Sequence, residues 1–335
     1  MGSSKERNIL IFRISALGDI AIASPLVKEY ARKNPEITFT VISQPKIEPM
    51  FRDVANLNFI PFIKGKNDFW SIIKFAKSLM KLAPTDVADI HNVLRSKIFT
   101  GYMSFRGLKC RTLNKNRKKK RELIRQNNKI LVPLKTSQRA YEEVLIALGL
   151  KDLHFADTPV PPRAKSKFLY RRIGIAPFAM HKGKCWPLEY MEQVLSELSK
   201  ESNTRVILFG GKGKESEFLK AWEKKYSNVE SIAGRYTLAE ELEFMKSLDV
   251  MVSMDSANMH FASLSCTPVI SIWGATHPYA GFYGWGQDPS NAIQLDLNCR
   301  PCSIYGKTEC KRGDYACLTG IKPEVVLKKI YESFD

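Results

Sequence analysis

No apolar run in these 335 residues approaches the roughly 18–20 that cross a bilayer, so no membrane-spanning helix is expected. The first apolar stretch follows Lys5 and Arg7 in the manner of a signal peptide. Arg13 and Asp19 interrupt it, however, and no clear small-residue cleavage site follows. A cytoplasmic protein is expected. The dinucleotide fingerprint G-x-G-x-x-G and the P-loop are both missing, and "GGKGKES" at 210–216 is glycine-rich but wrongly spaced. That weighs against a dehydrogenase or an NTPase. Acids are scarce beside bases, 34 against 52, and the resulting net charge of +18 implies an anionic partner. The basic run "KNRKKKRELIR" at 115–125 has no aromatic residue for bases to stack on, and no RRM, KH or helix-turn-helix signature is present. Nucleic acid is therefore disfavoured as a partner. The run reads better as a solvated patch for clustered phosphates or anionic lipid headgroups.

What is present points to two domains of roughly 150 residues each. Short apolar runs alternate with helical patterns, the signature of parallel sheets with crossover helices. Strands are expected at Asn8–Ile14, at Ile37–Ser43 and around Val87–Ile90, and helices near Ile20–Lys33 and Phe69–Leu82. The helical pattern "SQRAYEEVLIALGL" closes at Gly149. In the second half "RRIGIAPFA", "TRVILFGG", "DVMVSMDS" and "TPVISIWG" read as strands, with helices at Leu188–Ser199 and Leu238–Ser247. The proline-rich stretch "ADTPVPPRAKSKF" reads as a linker, giving domains 1–162 and 163–335. The fold class is α/β, with two Rossmann-like domains facing each other across a cleft.

Ligands of such sheets bind at the carboxyl ends of the strands, so the residues just after each run matter most. In "SALGD", Gly18 allows a tight turn and Asp19 falls near a helix start. Asp19 could be a helix cap worth about 1 kcal/mol or a general base. In "MDSANMHFASL", Asp255 ends a strand, and Ser256 and Ala257 open a helix whose free N–H groups suit a phosphate. His260 lies one turn further on. In "HKGKCWPLEY", Lys184 is a point charge suited to phosphate oxygens.

Cys299, Cys302, Cys310 and Cys317 crowd into a C-x2-C-x7-C-x6-C pattern. Structural zinc, labile disulfides and reduced packing thiols are all open readings of it.

Taken in order, "SALGD", "DVADIHNVLRS", "KCWPLEYM", "FGGKGKE", "MDSANMHFASLSCTPVISIWGATHP" and "CRPC…C…CLTGIKPEVV" resemble the heptosyltransferases of glycosyltransferase family 9. The resemblance covers nearly the whole chain and implies the GT-B fold. It implies transfer of heptose from ADP-heptose to a lipopolysaccharide core acceptor, with inversion and without a metal or cofactor. Asp19 would be the catalytic base and Lys184 the cation on the diphosphate. Asp255 would hold donor-sugar hydroxyls, with backbone groups from Ser256 and Ala257 and with His260 on the phosphate side. Tyr236 would lie by the adenine. Gly18, Arg95 and Arg139 would serve the acceptor. The enzyme would touch the anionic inner membrane surface peripherally.

There are departures from the family pattern. Lys212 stands where many members place a ribose-binding Glu, with Glu215 three residues later. The family's His-Gly-Asn is His91-Asn92-Val93, and Thr136 replaces a usual His. Two other readings remain at this point: a GT-B transferase using another nucleotide sugar, and an inactive GT-B binding protein.

Overall fold

The computed structural model describes residues 6–63, 68–157 and 169–334, and the chain divides into two units. One comprises residues 1–116 and 136–158, the other residues 117–135 and 159–335. The expected boundary near Pro162 lies outside the described residues.

The first unit contains β1 (Arg7–Phe12), α1 (Leu17–Lys33), β2 (Ile37–Ser43), β3 (Leu57–Pro61), α2 (Phe69–Leu79), β4 (Asp86–Asp89), α3 (Leu94–Phe105) and β5 (Lys109–Thr112). A further helix, Ser137–Ala147, belongs to it as well. The strands form one parallel sheet in the order β3-β2-β1-β4-β5. β1 is buried on both faces, which explains why it reads as a continuous apolar run rather than an alternating one. Leu10, Phe12 and Ile14 pack with Ile72 and Ala76 of α2 and with Phe99 and Met103 of α3. Phe12 stacks on Phe99 at 4.7 Å and meets Phe62 edge-on at 5.9 Å. Helix starts follow their caps: Asp68 accepts the Ser71 N–H at 2.9 Å, and Thr136 accepts that of Arg139 at 3.2 Å.

In the second unit, the strands are β6 (Arg171–Ala176), β7 (Thr204–Leu208), β8 (Val229–Ser231), β9 (Val250–Met254), β10 (Val269–Ile272) and β11 (Ala292–Ile293). They too are all parallel, in the order β11-β10-β9-β6-β7-β8. α4 (Arg117–Leu123) precedes α5, the helix Ser137–Ala147. Then come α6 (Leu188–Leu198), α7 (Lys214–Lys225), α8 (Leu238–Lys246), α9 (Ala257–Leu264), α10 (Ala316–Thr319) and α11 (Pro323–Glu332). Trp186 lies in the core, and its indole N–H donates to the Ile321 carbonyl at 3.0 Å, which ties the start of α6 to the segment before α11.

Of the run 115–125, the residues from Arg117 onward belong to the second unit. Leu123 is buried with Ala280 and Ile304, and the Leu134 N–H donates to the Tyr279 carbonyl at 2.8 Å. Apolar contacts that the sequence places more than 140 residues away thus decide where α4 sits. Among the described residues no helix is long and apolar enough to cross a membrane.

Replacing Phe12 by alanine should cost the first unit about 3–5 kcal/mol, because both ring contacts vanish and the surrounding cage cannot collapse fully. A urea midpoint shifted by less than about 1 kcal/mol would show that the ring is dispensable.

Candidate active site

At the carboxyl end of β1 the chain runs through Arg13 into α1, and Asp19 lies in that helix's first turn. The Arg13 guanidinium is buried and donates to the Ile90 carbonyl beyond β4. Its other nitrogen pairs with Asp19 Oδ2 at 2.7 Å. Asp19 Oδ2 also accepts the Ala16 N–H at 3.3 Å, and Oδ1 accepts the Tyr141 hydroxyl at 3.3 Å. The Arg13 guanidinium stacks over the Tyr141 ring at 5.0 Å. Burial raises the Tyr141 pKa well above the ordinary phenol value, which keeps its hydroxyl a donor. The cap expected of Asp19 is corrected: Ala16 is the N-cap of α1, and Asp19, the third residue of the helix, returns its carboxylate to the Ala16 N–H. Asp19 is oriented from three sides and still partly open to solvent.

Gly18 also lies in this first turn, in helical backbone rather than in the tight turn expected of it. α1 has already begun at Leu17.

Beside Asp19, the Ser15 hydroxyl and His91 Nε2 are 3.1 Å apart. Burial, followed by the charge of Arg13, pushes the His91 pKa down to about 3, so the ring is neutral at pH 7. Among the described residues His91 Nδ1 has no hydrogen-bond partner. Asn92, standing where the family has glycine, adopts φ +48°. Asparagine is among the few residues that tolerate this left-handed backbone, and its side chain donates to the Leu113 carbonyl at 2.7 Å. The turn survives the loss of glycine.

The two acceptor-side arginines differ. Arg95 is half-buried, makes no ion pair among the described residues, and is close enough to help lower the His91 pKa. Arg139 forms a two-pronged pair with Asp152, both contacts at 2.7 Å, and a third contact with fully buried Glu142 at 3.0 Å. Its guanidinium is committed internally. Thr136, at the position of the family's histidine, serves as the cap of α5.

The second unit builds its own constellation. Lys184 ends a short turn after β6, and its Nζ lies 2.8 Å from Asp255 Oδ2. Asp255, only 4% exposed, also accepts the Thr276 hydroxyl at 2.8 Å. A Cβ on Gly306, which has φ +77°, would fall 2.6 Å from Lys184 Cγ, so this glycine leaves room for the lysine stem.

Ser256 caps α9 without a side-chain hydrogen bond to the helix. His260 is buried at the fourth position of α9. Glu215 Oε2 accepts the Gly211 N–H at 2.6 Å, which closes the loop after β7 and holds the carboxylate at that strand's end. The Tyr236 ring packs on Phe244 at 4.8 Å and lines an open pocket of about 520 Å³ along α8. Lys184, Asp255 and Ser256 do not line that pocket.

Residues 87–312 match the family model described as glycosyltransferase family 9 (heptosyltransferase). The chain belongs to that family. Over 96% of both chains it is 24% identical to lipopolysaccharide heptosyltransferase 1 of Pseudomonas aeruginosa. A stretch covering 53% of this chain and 58% of the relative is 23% identical to lipooligosaccharide heptosyltransferase 2 of Campylobacter jejuni. The fold matches that of E. coli ADP-heptose lps heptosyltransferase II with a TM-score of 0.69 at 18% identity, over 97% of this chain and 98% of that one. The GT-B fold expected from the sequence is thereby established, and the protein is a glycosyltransferase.

Sequence reasoning missed the groups that hold the site residues in place. Arg13 and Tyr141 orient Asp19, and neither lies in a motif with an obvious chemical role. Thr276 and Arg300 fall inside quoted family blocks but carry no local signal. Arg300 is buried and donates to the carbonyls of Gly274 at 2.5 Å and Thr276 at 2.9 Å, and to that of Leu295. It thereby fixes the loop whose Thr276 hydroxyl holds Asp255. No disulfide joins the four clustered cysteines, and burial pushes Cys317 up to about 11.

Two predictions follow from these contacts. Arg300→Ala should destabilise the second unit by about 3 kcal/mol, since charge-assisted hydrogen bonds to buried carbonyls are lost together. Calorimetric unfolding that matches the wild type would refute this. The His91 pKa is lowered on folding, so the unfolded chain binds a proton first as pH falls. Its contribution to stability is complete above the ordinary histidine pKa of about 6.5 and is lost as pH drops toward 3. Melting temperatures recorded from pH 7 to 4 should fall less steeply in His91→Gln than in the wild type. Parallel curves would show that other groups carry the acid sensitivity.

Proposed function

We propose that this glycosyltransferase moves heptose from ADP-heptose to a lipopolysaccharide core acceptor, inverting the anomeric centre. The names of its relatives support this: two are lipopolysaccharide or lipooligosaccharide heptosyltransferases, and the matching E. coli structure is of an ADP-heptose lps heptosyltransferase. The observation that carries the chemistry is the Asp19 carboxylate, oriented by Arg13, Tyr141 and the Ala16 N–H yet open on one side.

Asp19 takes the proton of the acceptor hydroxyl as that oxygen bonds to the anomeric carbon from the face opposite the leaving group. The bond from that carbon to the β-phosphate oxygen breaks, and ADP departs with the electron pair. Positive charge spreads over the sugar ring in the transition state, as in glycoside cleavage. Negative charge grows on the β-phosphate, where Lys184 and the first N–H groups of α9, after Ser256 and including Ala257, meet it. The scheme uses no metal and no cofactor.

Asp255 has two parts here, holding Lys184 and facing the donor sugar. His260 lies on the phosphate side. The backbone at Tyr236 receives the adenine and Glu215 the ribose. On the acceptor side Gly18 keeps the approach to Asp19 free of a side chain. Arg95 supplies an open cation for an acceptor phosphate, and Arg139 holds the segment that carries Tyr141. Such an acceptor is an anionic amphiphile of the inner membrane, so a cytoplasmic enzyme of net charge +18 would work against that surface peripherally.

Asp19→Asn keeps the size of the side chain and removes the base. It should bind ADP in a calorimetric titration as the wild type does, while turnover of ADP-heptose falls about 10²–10⁴-fold. Unchanged turnover would remove Asp19 from the mechanism. A preference for UDP or GDP over ADP would keep the base and discard heptose as the sugar.

A further inference from the structure

Three consecutive apolar residues, Ile130, Leu131 and Val132, are 46%, 44% and 51% exposed. Their neighbours on both sides are secured. The Ile130 N–H donates to the Glu122 carbonyl, Lys129 Nζ donates to the Asn298 and Arg300 carbonyls, and the Leu134 N–H donates to that of Tyr279. Leu123, Ile124 and Leu134 of the same excursion are packed against Ala280, Ile304 and Phe282. The segment therefore has buried places for apolar side chains and leaves these three outside them.

Next to them in sequence stands α4, where Arg117, Lys118, Lys119 and Arg121 are exposed. Between residues 117 and 135 there are eight bases and one acid, Glu122. Lys120 folds over the rings of Phe282, at 4.5 Å, and Tyr305, at 5.7 Å, and Tyr305 is itself 48% exposed. Cations and a short apolar ridge are thus carried on one tethered excursion of the second unit, and its Lys120 lies over the half-exposed ring of Tyr305. Charge alone would suit any polyanion. Three apolar residues held out beside the charge suit an interface with an anionic headgroup layer and an apolar interior beneath it.

We propose that residues 117–135, with Tyr305, form a membrane-docking surface of the second unit that takes an anionic phospholipid bilayer. The exposed bases of α4 meet the headgroups, and Ile130, Leu131 and Val132 enter the boundary with the acyl chains. This deepens the peripheral-membrane part of the reading above by naming the surface, and it rests on that part alone.

Flotation of the full chain with phosphatidylethanolamine–phosphatidylglycerol vesicles, against phosphatidylcholine vesicles, tests it. Binding should favour the anionic vesicles and weaken as salt rises. Ile130→Ser, Leu131→Ser and Val132→Ser combined should lower partitioning about tenfold or more at fixed salt, since apolar area adds to the electrostatic attraction. The pair Lys118→Glu and Lys119→Glu should lower it separately and reduce its salt dependence. Both sets change exposed positions, and an unaltered circular dichroism melt confirms folding. Turnover measured with a delipidated, water-soluble core oligosaccharide should be unchanged in both. If the serine variant floats as the wild type does, the apolar ridge is not inserted and the proposal is overturned. Equal binding to phosphatidylcholine overturns the anionic partner. Loss of turnover on the soluble acceptor in the wild type would fail the transferase reading instead, leaving the flotation result to stand by itself.

Discussion

A carboxylate withdrawn from water is tolerated only where other groups replace its solvent, and Asp255 imposes that condition on the whole carboxyl end of the second sheet. Lys184 and Thr276 supply the replacement. Each needs further support. The lysine stem passes where Gly306 has no side chain, and the Thr276 loop is clamped by the buried guanidinium of Arg300. Arg300 in turn has its own carbonyl held by Lys129. One buried anion thus explains a glycine, a threonine and two bases that are far apart in sequence. It also explains why Lys184, a flexible side chain in isolation, has a defined position beside Asp255.

The first unit solves a related problem with a different outcome. Asp19 also faces a buried arginine, but it keeps part of its surface open. The partner Arg13 is anchored to the carbonyl of Ile90, so the junction after β1 is joined to the junction after β4. Orientation without enclosure is what a proton acceptor for an incoming hydroxyl requires. Enclosure suits the contact by which Asp255 holds Lys184 in place.

The sequence pattern revealed the strands with buried faces and the motifs that follow them, because both signals are local. The order of "SALGD", "KCWP" and "DSANMH" was enough to place Asp19, Lys184 and Asp255 at strand ends. Arg13, Tyr141, Thr276 and Arg300 were not legible, since their value lies in contacts made across the fold. Arg139 illustrates the converse. It occupies a basic position that suggests an acceptor phosphate, yet Asp152 and Glu142 already take its guanidinium. Asn92, where the family pattern has glycine, adopts a left-handed backbone that asparagine tolerates, which the letter alone did not reveal. Where Leu123 packs was not legible either, because its partners, Ala280 and Ile304, are remote in the chain.

Pairing of this kind bears on the meaning of the net charge. Arg13 with Asp19, Lys184 with Asp255, and Arg139 with Asp152 and Glu142 balance cations against acids where the candidate chemistry lies. The surplus bases are therefore to be sought elsewhere, and α4 carries a dense group of them on an exposed helix. An unpaired surface charge acts over roughly a Debye length and sets where a protein dwells rather than what it catalyses. The segment that carries this charge is nonetheless joined to the site. Lys129, at its far end, holds the carbonyl of Arg300, whose guanidinium braces the loop around Asp255.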